Sequence, residues 1–140
     1  MPIRTAQRVA SVKPSATIAM SMKAAELKAA GRDIISLSMG EPDFDTPDHI
    51  QQAAIDAIHE GQTRYTAVDG TLGLKDAIIE KFRRDNGLGY ERDQILVSSG
   101  AKQSLYNLMQ AMIDPGDEVL IPSPYWVSYP DMVRLAGGAP

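Results

Sequence analysis

Ile95-Leu96-Val97-Ser98-Ser99-Gly100-Ala101-Lys102 is the stretch on which the fold turns. Its first half is a continuous apolar run of strand length, as in a strand buried on both faces. Gly100 breaks the run. Beyond it Leu105, Leu108, Met109 and Met112 keep the spacing of one helix face. The rhythm then repeats. Pro115-Gly116 is a turn, Glu118-Val119-Leu120-Ile121 a second strand ended by Pro122, and Met132, Val133 and Ala136 mark a last helix. Strand, turn and helix in this alternation predict an α/β architecture with parallel strands covered on both faces.

Upstream, residues 1–14 have little periodicity and are expected to be an extended arm. Ser15 is placed to cap a helix over 16–30, closed by Gly31, with Ile18, Met22, Ala25 and Ala29 on one face. A strand over 34–38 leads into Gly40-Glu41-Pro42-Asp43-Phe44-Asp45-Thr46-Pro47. Thr46 as cap and Pro47 as first helical residue predict the next helix. Ile50, Ala53, Ala54, Ala57 and Ile58 fit its apolar face, and Gly61 ends it. A polar loop carries Tyr65. A helix over 73–86 follows, with Leu74, Ala77, Ile78 and Phe82 on one face and Gly87 as its stop.

The bulk properties narrow the function. The chain has 140 residues, 44% of them apolar, so a core is within reach and disorder is not expected. Acids and bases interleave around a net charge of −4. No basic stripe points to nucleic acid and no cationic face to a membrane surface. With no cysteine there is no disulfide framework and no thiolate site. No apolar run approaches the roughly 20 residues of a membrane span, and Met1-Pro2-Ile3-Arg4 opens no signal peptide. The location expected is the cytoplasm. The chain stops at Gly137-Gly138-Ala139-Pro140, a turn where a further strand is expected, so the sequence is expected to be a piece of a longer protein.

Four segments carry candidate chemistry. In Ser99, Gly100, Ala101 and Lys102, a strand ends where a helix begins. Free N–H groups and the positive end of the helix dipole there suit a phosphate. The glycine–lysine spacing of a P-loop is absent, and an ordinary glycine turn is the simpler alternative. In Pro122-Ser123-Pro124-Tyr125-Trp126, proline stops the strand, Trp126 can stack on a planar ring and Tyr125 can pack beneath it; a plain core tryptophan is the alternative. Gly40 permits close backbone approach to a ligand. In Val12-Lys13-Pro14-Ser15-Ala16-Thr17, the ammonium of Lys13 and the hydroxyls of Ser15 and Thr17 suit a carboxylate at a helix start, against a solvated lysine and a simple cap. The acids Glu41, Asp43, Asp45 and Asp48 fail the EF-hand template, so no metal is expected.

In their order and spacing these segments resemble the N-terminal part of the class I pyridoxal-phosphate-dependent aminotransferases, in particular the bacterial aspartate/prephenate branch, from about Val9 to Pro140. The resemblance implies the fold type I arrangement: a three-layer α/β/α large domain, begun here at 46–140, and the first part of a small domain with its arm at 1–45. It implies pyridoxal 5'-phosphate as cofactor, with its phosphate held by Ser99, Gly100, Ala101 and Lys102 and its ring stacked on Trp126. Tyr65 would reach the cofactor phosphate of the other subunit of a homodimer. Gly40 would offer its N–H to the substrate α-carboxylate, and the segment with Lys13, Ser15 and Thr17 would close over the substrate. Substrates would be amino acids and 2-oxo acids: aspartate or glutamate, with prephenate a candidate acceptor. The Schiff-base lysine, the acid beside the pyridine nitrogen and the substrate-carboxylate arginine come later in the family, so no catalytic residue is assigned and the chain alone is expected to be inactive. The other reading is a non-catalytic aminotransferase-like effector or dimerisation module. In such regulators a helix-turn-helix domain precedes this fold, whereas here the arm follows directly on Met1.

Overall fold

The computed structural model describes residues 3–140; the first two residues of the expected arm lie outside them. In chain order the helices are α1 (Gln7–Ala10), α2 (Ala16–Ala29), α3 (Asp48–His59), α4 (Leu72–Lys81), α5 (Ala101–Met112) and α6 (Ser128–Ala136). The chain forms two compact units, one made of residues up to Pro42 together with Leu105–Pro140, the other of Asp43–Ser104.

In the first unit α2 starts and stops on local chemistry. The Ser15 hydroxyl accepts the Ile18 N–H at 3.4 Å. At the other end Gly31 N–H donates to Lys28 O at 2.9 Å and Arg32 N–H to Leu27 O at 3.1 Å, the paired closure that satisfies the last carbonyls of a helix. The arm is not wholly extended, as α1 is a helical turn within it, and α1 packs against α6. Residues 34–38 run beside α2, with the hydroxyls of Ser21 and Ser38 3.1 Å apart, and leave an apolar groove of about 550 Å³ bordered by Met20, Leu27, Ile35 and Leu37. The buried centre of this unit is α6, where Val133 is 0% exposed and Met132 is buried. After α6 the chain returns to residue 118. Val119 N–H donates to Ala139 O, and Ala139 N–H to Asp117 O, each at 2.9 Å, making a parallel bridge between Glu118 and Ala139. A parallel pairing across an intervening helix is how a βαβ unit begins.

That bridge is the only sheet pairing among the described residues, so the expected strands at 34–38, 95–98 and 118–121 are not laddered. The backbone at Ile95 is extended, with φ −111° and ψ 125°. Apolar β-formers prepare that conformation locally, but a ladder needs a neighbouring strand along the whole run, and here the pairing stops at single contacts, Val119 N–H on Ala139 O and Val97 N–H on Asp69 O.

In the second unit α3 begins one residue later than its sequence predicts. Pro47 is extended (φ −55°, ψ 139°) and serves as the cap, its carbonyl accepting Ile50 N–H at 2.8 Å. The Thr46 side chain makes no cap; its carbonyl accepts the Gln51 carboxamide instead. Thr71 caps α4, which ends in a wider π-turn over Phe82–Asn86 that closes where Leu88 N–H meets Phe82 O at 3.1 Å. The inward face of α4 also differs from its apolar pattern. Leu74 is exposed while Lys75, beside it, is buried and paired with Asp69. Arg92 forks onto Asp76, with both N–H···O distances 2.6 Å, and ties the turn Arg92–Gln94 to α4.

These two ion pairs set an acid response. The hydrogen bond from Lys75 holds the Asp69 carboxyl below the usual carboxylate range, and the bonds from Arg92 do the same for Asp76. A carboxyl depressed on folding adds stability above its unfolded pKa of about 3.9, and that stability is lost as pH falls through the folded value. Amide protection at Gly70 and Val97, corrected for intrinsic exchange, is therefore expected to fall below about pH 4. In Asp69→Asn the protection should be lower at neutral pH and should lose most of this pH dependence. Protection that holds constant to pH 2 in the wild type would contradict it.

Candidate functional site

In the second unit, the turn Ser98-Ser99-Gly100 delivers the chain to α5. Gly100 has φ +83°, a left-handed conformation that side chains rarely adopt, and a Cβ built there meets no atom within 4 Å. Ser99, Gly100, Ala101 and Lys102 are all exposed. The space in front of the α5 N-terminus is thus open, at the end of an apolar extended run, where a helix presents N–H groups and the positive end of its dipole. The Ser99 N–H is engaged by the Gln103 carboxamide oxygen. Gln103 was not singled out from sequence; it reaches back four residues, from the first turn of α5 to the residue before Gly100.

Tyr65 lies on the loop between α3 and α4 and is 106% exposed. Its loop is held at both ends by backbone bonds: Gln62 N–H to Ala57 O at 2.9 Å and Val97 N–H to Asp69 O at 3.0 Å.

In the first unit, Trp126 is 42% exposed just before α6, and its ring meets that of Tyr129 edge to face, with centroids 5.6 Å apart and planes at 84°. Tyr129, one helical turn on, is held beside it, as Tyr129 N–H bonds Trp126 O at 3.1 Å. Lys13 is exposed, Ser15 caps α2, and Thr17 is half-buried in its first turn. Gly40 has no left-handed φ, and a Cβ there meets nothing within 4 Å, so neither backbone strain nor packing in this chain demands the glycine.

Among the described residues, no group of three or more His, Cys, Asp or Glu side chains gathers in metal-binding geometry, and no helix is long and apolar enough to cross a membrane.

Known proteins match this chain over nearly its whole length. The model of the family "Aminotransferase class I and II" matches residues 32–140. An aspartate/prephenate aminotransferase of Nitrosomonas europaea is 61% identical over 138 residues, which is 99% of this chain and 35% of that protein. An aspartate aminotransferase of Geobacillus stearothermophilus is 58% identical with the same coverage. The chain therefore spans about a third of the length of the curated relatives it matches. Among solved structures, the aspartate aminotransferase of Rhizobium meliloti superposes with a TM-score of 0.94 at 54% identity, over 99% of this chain and 35% of that one. The Thermus thermophilus enzyme with maleate gives 0.92 at 51%, over 99% and 36%. The α/β fold of these enzymes is thus the fold this chain builds in part, with its helices formed and one parallel bridge between Glu118 and Ala139. On the match over residues 32–140, this chain belongs to the aminotransferase class I and II family.

Proposed function

We propose that the full-length protein of which this chain is a part transfers an amino group between an amino acid and a 2-oxo acid, with aspartate or glutamate as donor, as a cytoplasmic homodimer using pyridoxal 5'-phosphate. The observation that most supports this is the open glycine turn at the start of α5. Its donor chemistry fits a phosphate: exposed backbone at a helix N-terminus, the Ser99 hydroxyl and the Lys102 ammonium. Trp126, with part of its ring accessible, suits the face of a pyridine ring. When bound, the cofactor supplies an electron-withdrawing ring that takes up charge from the substrate α-carbon and carries the amino group between half-reactions.

The residues of this chain would bind and orient. Ser99, Gly100, Ala101 and Lys102 would hold the phosphate, with the Gln103 carboxamide yielding the Ser99 N–H to it. Trp126 would fix the ring plane. Tyr65 would donate to the phosphate of the partner subunit. Gly40, with no side chain in the way, would offer its N–H to the substrate α-carboxylate. Residues 1–45 are assigned to the arm and small domain and 46–140 to the large domain. No proton-transfer role is assigned to any residue here.

Lys13, Ser15 and Thr17 would favour a substrate with a second carboxylate; the Thermus thermophilus relative was solved with maleate, itself a dicarboxylate. The full-length protein should convert aspartate and 2-oxoglutarate to oxaloacetate and glutamate, and absence of turnover with added cofactor would overturn the assignment. In Lys13→Ala, kcat/KM should fall about tenfold for dicarboxylic substrates, as expected when one charged hydrogen bond is lost, and change little for alanine. An equal loss on both would tie Lys13 to closure or stability and end the selectivity claim.

A further inference from the structure

Lys75 is the only charged residue buried among the described residues, at 3% exposure, and the function proposed above leaves it without a role. A lysine ammonium is held out of water only when a partner compensates it. Here the partner is Asp69, which Lys75 reaches from α4 across the end of the loop that precedes the helix.

Several contacts converge on that spot. Val97 N–H donates to Asp69 O at 3.0 Å and Gly70 N–H to Ala67 O at 3.1 Å. Gly70, at φ +107°, lies so close to Val97 that a Cβ would stand 2.5 Å from Cγ2. The loop is fixed equally firmly where it leaves α3, with Gly61 N–H on Ile58 O at 3.0 Å and Gln62 N–H on Ala57 O at 2.9 Å. Residues 63–68 span these two anchors, and Tyr65 stands fully exposed among them.

We infer that the buried Lys75–Asp69 ion pair is a positioning device for Tyr65: it fixes the far end of the loop, so that the exposed phenol is presented in one place to the cofactor phosphate of the partner subunit. This rests on the role proposed for Tyr65. A side chain that must meet a ligand across an interface gains from a support that removes its freedom beforehand. The ammonium ties the Asp69 side chain to α4, a link that the loop's backbone bonds do not make.

The test uses the full-length apoenzyme, titrated with pyridoxal 5'-phosphate and followed by protein fluorescence, beside amide exchange of residues 63–68 without cofactor. Lys75→Met keeps the length and apolar stem, and Asp69, half-exposed, stays solvated when its partner is gone. Cofactor binding should weaken about three- to tenfold, in the lower part of the coupling found between residues in one network. Exchange over 63–68 should quicken while α4 stays protected. Lys75→Arg, which keeps the charge, should restore both readouts. In a Tyr65→Phe background Lys75→Met should weaken binding no further. A Lys75→Met effect that persists undiminished in that background overturns the proposal. Normal affinity in Lys75→Met beside weakened affinity in Tyr65→Phe overturns it alone and spares the role of Tyr65. Normal affinity in Tyr65→Phe overturns both. Should Lys75→Met fail to fold, Asp69→Asn carries the same comparison from the exposed side of the pair.

Discussion

Heated alone, the 140-residue chain is expected to show no cooperative unfolding transition, to bind a hydrophobic dye at room temperature and to associate as its concentration rises. The apolar residues buried among those described are Ile95, Met132 and Val133, whereas Val68 is 97% exposed and Ile35, Leu37, Phe44 and Leu120 stand nearly as open. Each large apolar side chain left in water forgoes about 1.5–3 kcal/mol of burial, and a domain's whole net stability is only about 5–15 kcal/mol. The run 34–38, and 118–121 beyond its single bridge to Ala139, leave apolar backbone without a neighbouring strand, which is a template for association with other chains. Calorimetry, dye fluorescence and sedimentation check this together. A soluble monomer with a single sharp transition and no dye binding would contradict it. The same deficit makes the chain by itself an unpromising catalyst, and turnover of aspartate and 2-oxoglutarate above a cofactor-only control would be a surprise of equal weight.

Tyr65→Phe in the full-length protein is expected to weaken pyridoxal 5'-phosphate by about 1.5–3 kcal/mol, the worth of a hydrogen bond to a charged acceptor, or about ten- to a hundredfold in Kd. The change removes one oxygen from a side chain that stands clear of its own unit, so stability should hardly move. Mixed dimers decide where the phenol acts. One subunit carries Tyr65→Phe; the other keeps Tyr65 but lacks the lysine that anchors the cofactor. If Tyr65 acts across the interface, the single competent site receives an intact tyrosine from its partner and binds with normal affinity. If that site binds as weakly as the Tyr65→Phe homodimer, Tyr65 serves its own subunit, and the trans role fails.

What could be read from the residues alone was local. Ser15 caps its helix, and the helix stops near Gly31, Gly61 and Gly87 lie where short-range hydrogen bonds put them, because a cap needs only partners a few residues away. The turn at Ser99–Lys102 was legible for the same reason: a glycine between an apolar run and a helical pattern is a local signal, and Gly100 takes a left-handed φ there. Met132, Val133 and Ala136 marked the last helix by spacing, and the first two are buried in it. The tertiary structure decided the rest. Whether 95–98 becomes a laddered strand depends on a neighbour far away in sequence, not on its own apolar residues. Nothing in the pattern of α4 marks Lys75 as inward and Leu74 as outward. That choice follows from Asp69 lying across the loop end where the ammonium can meet it, and a charge is buried only where its partner is already in place.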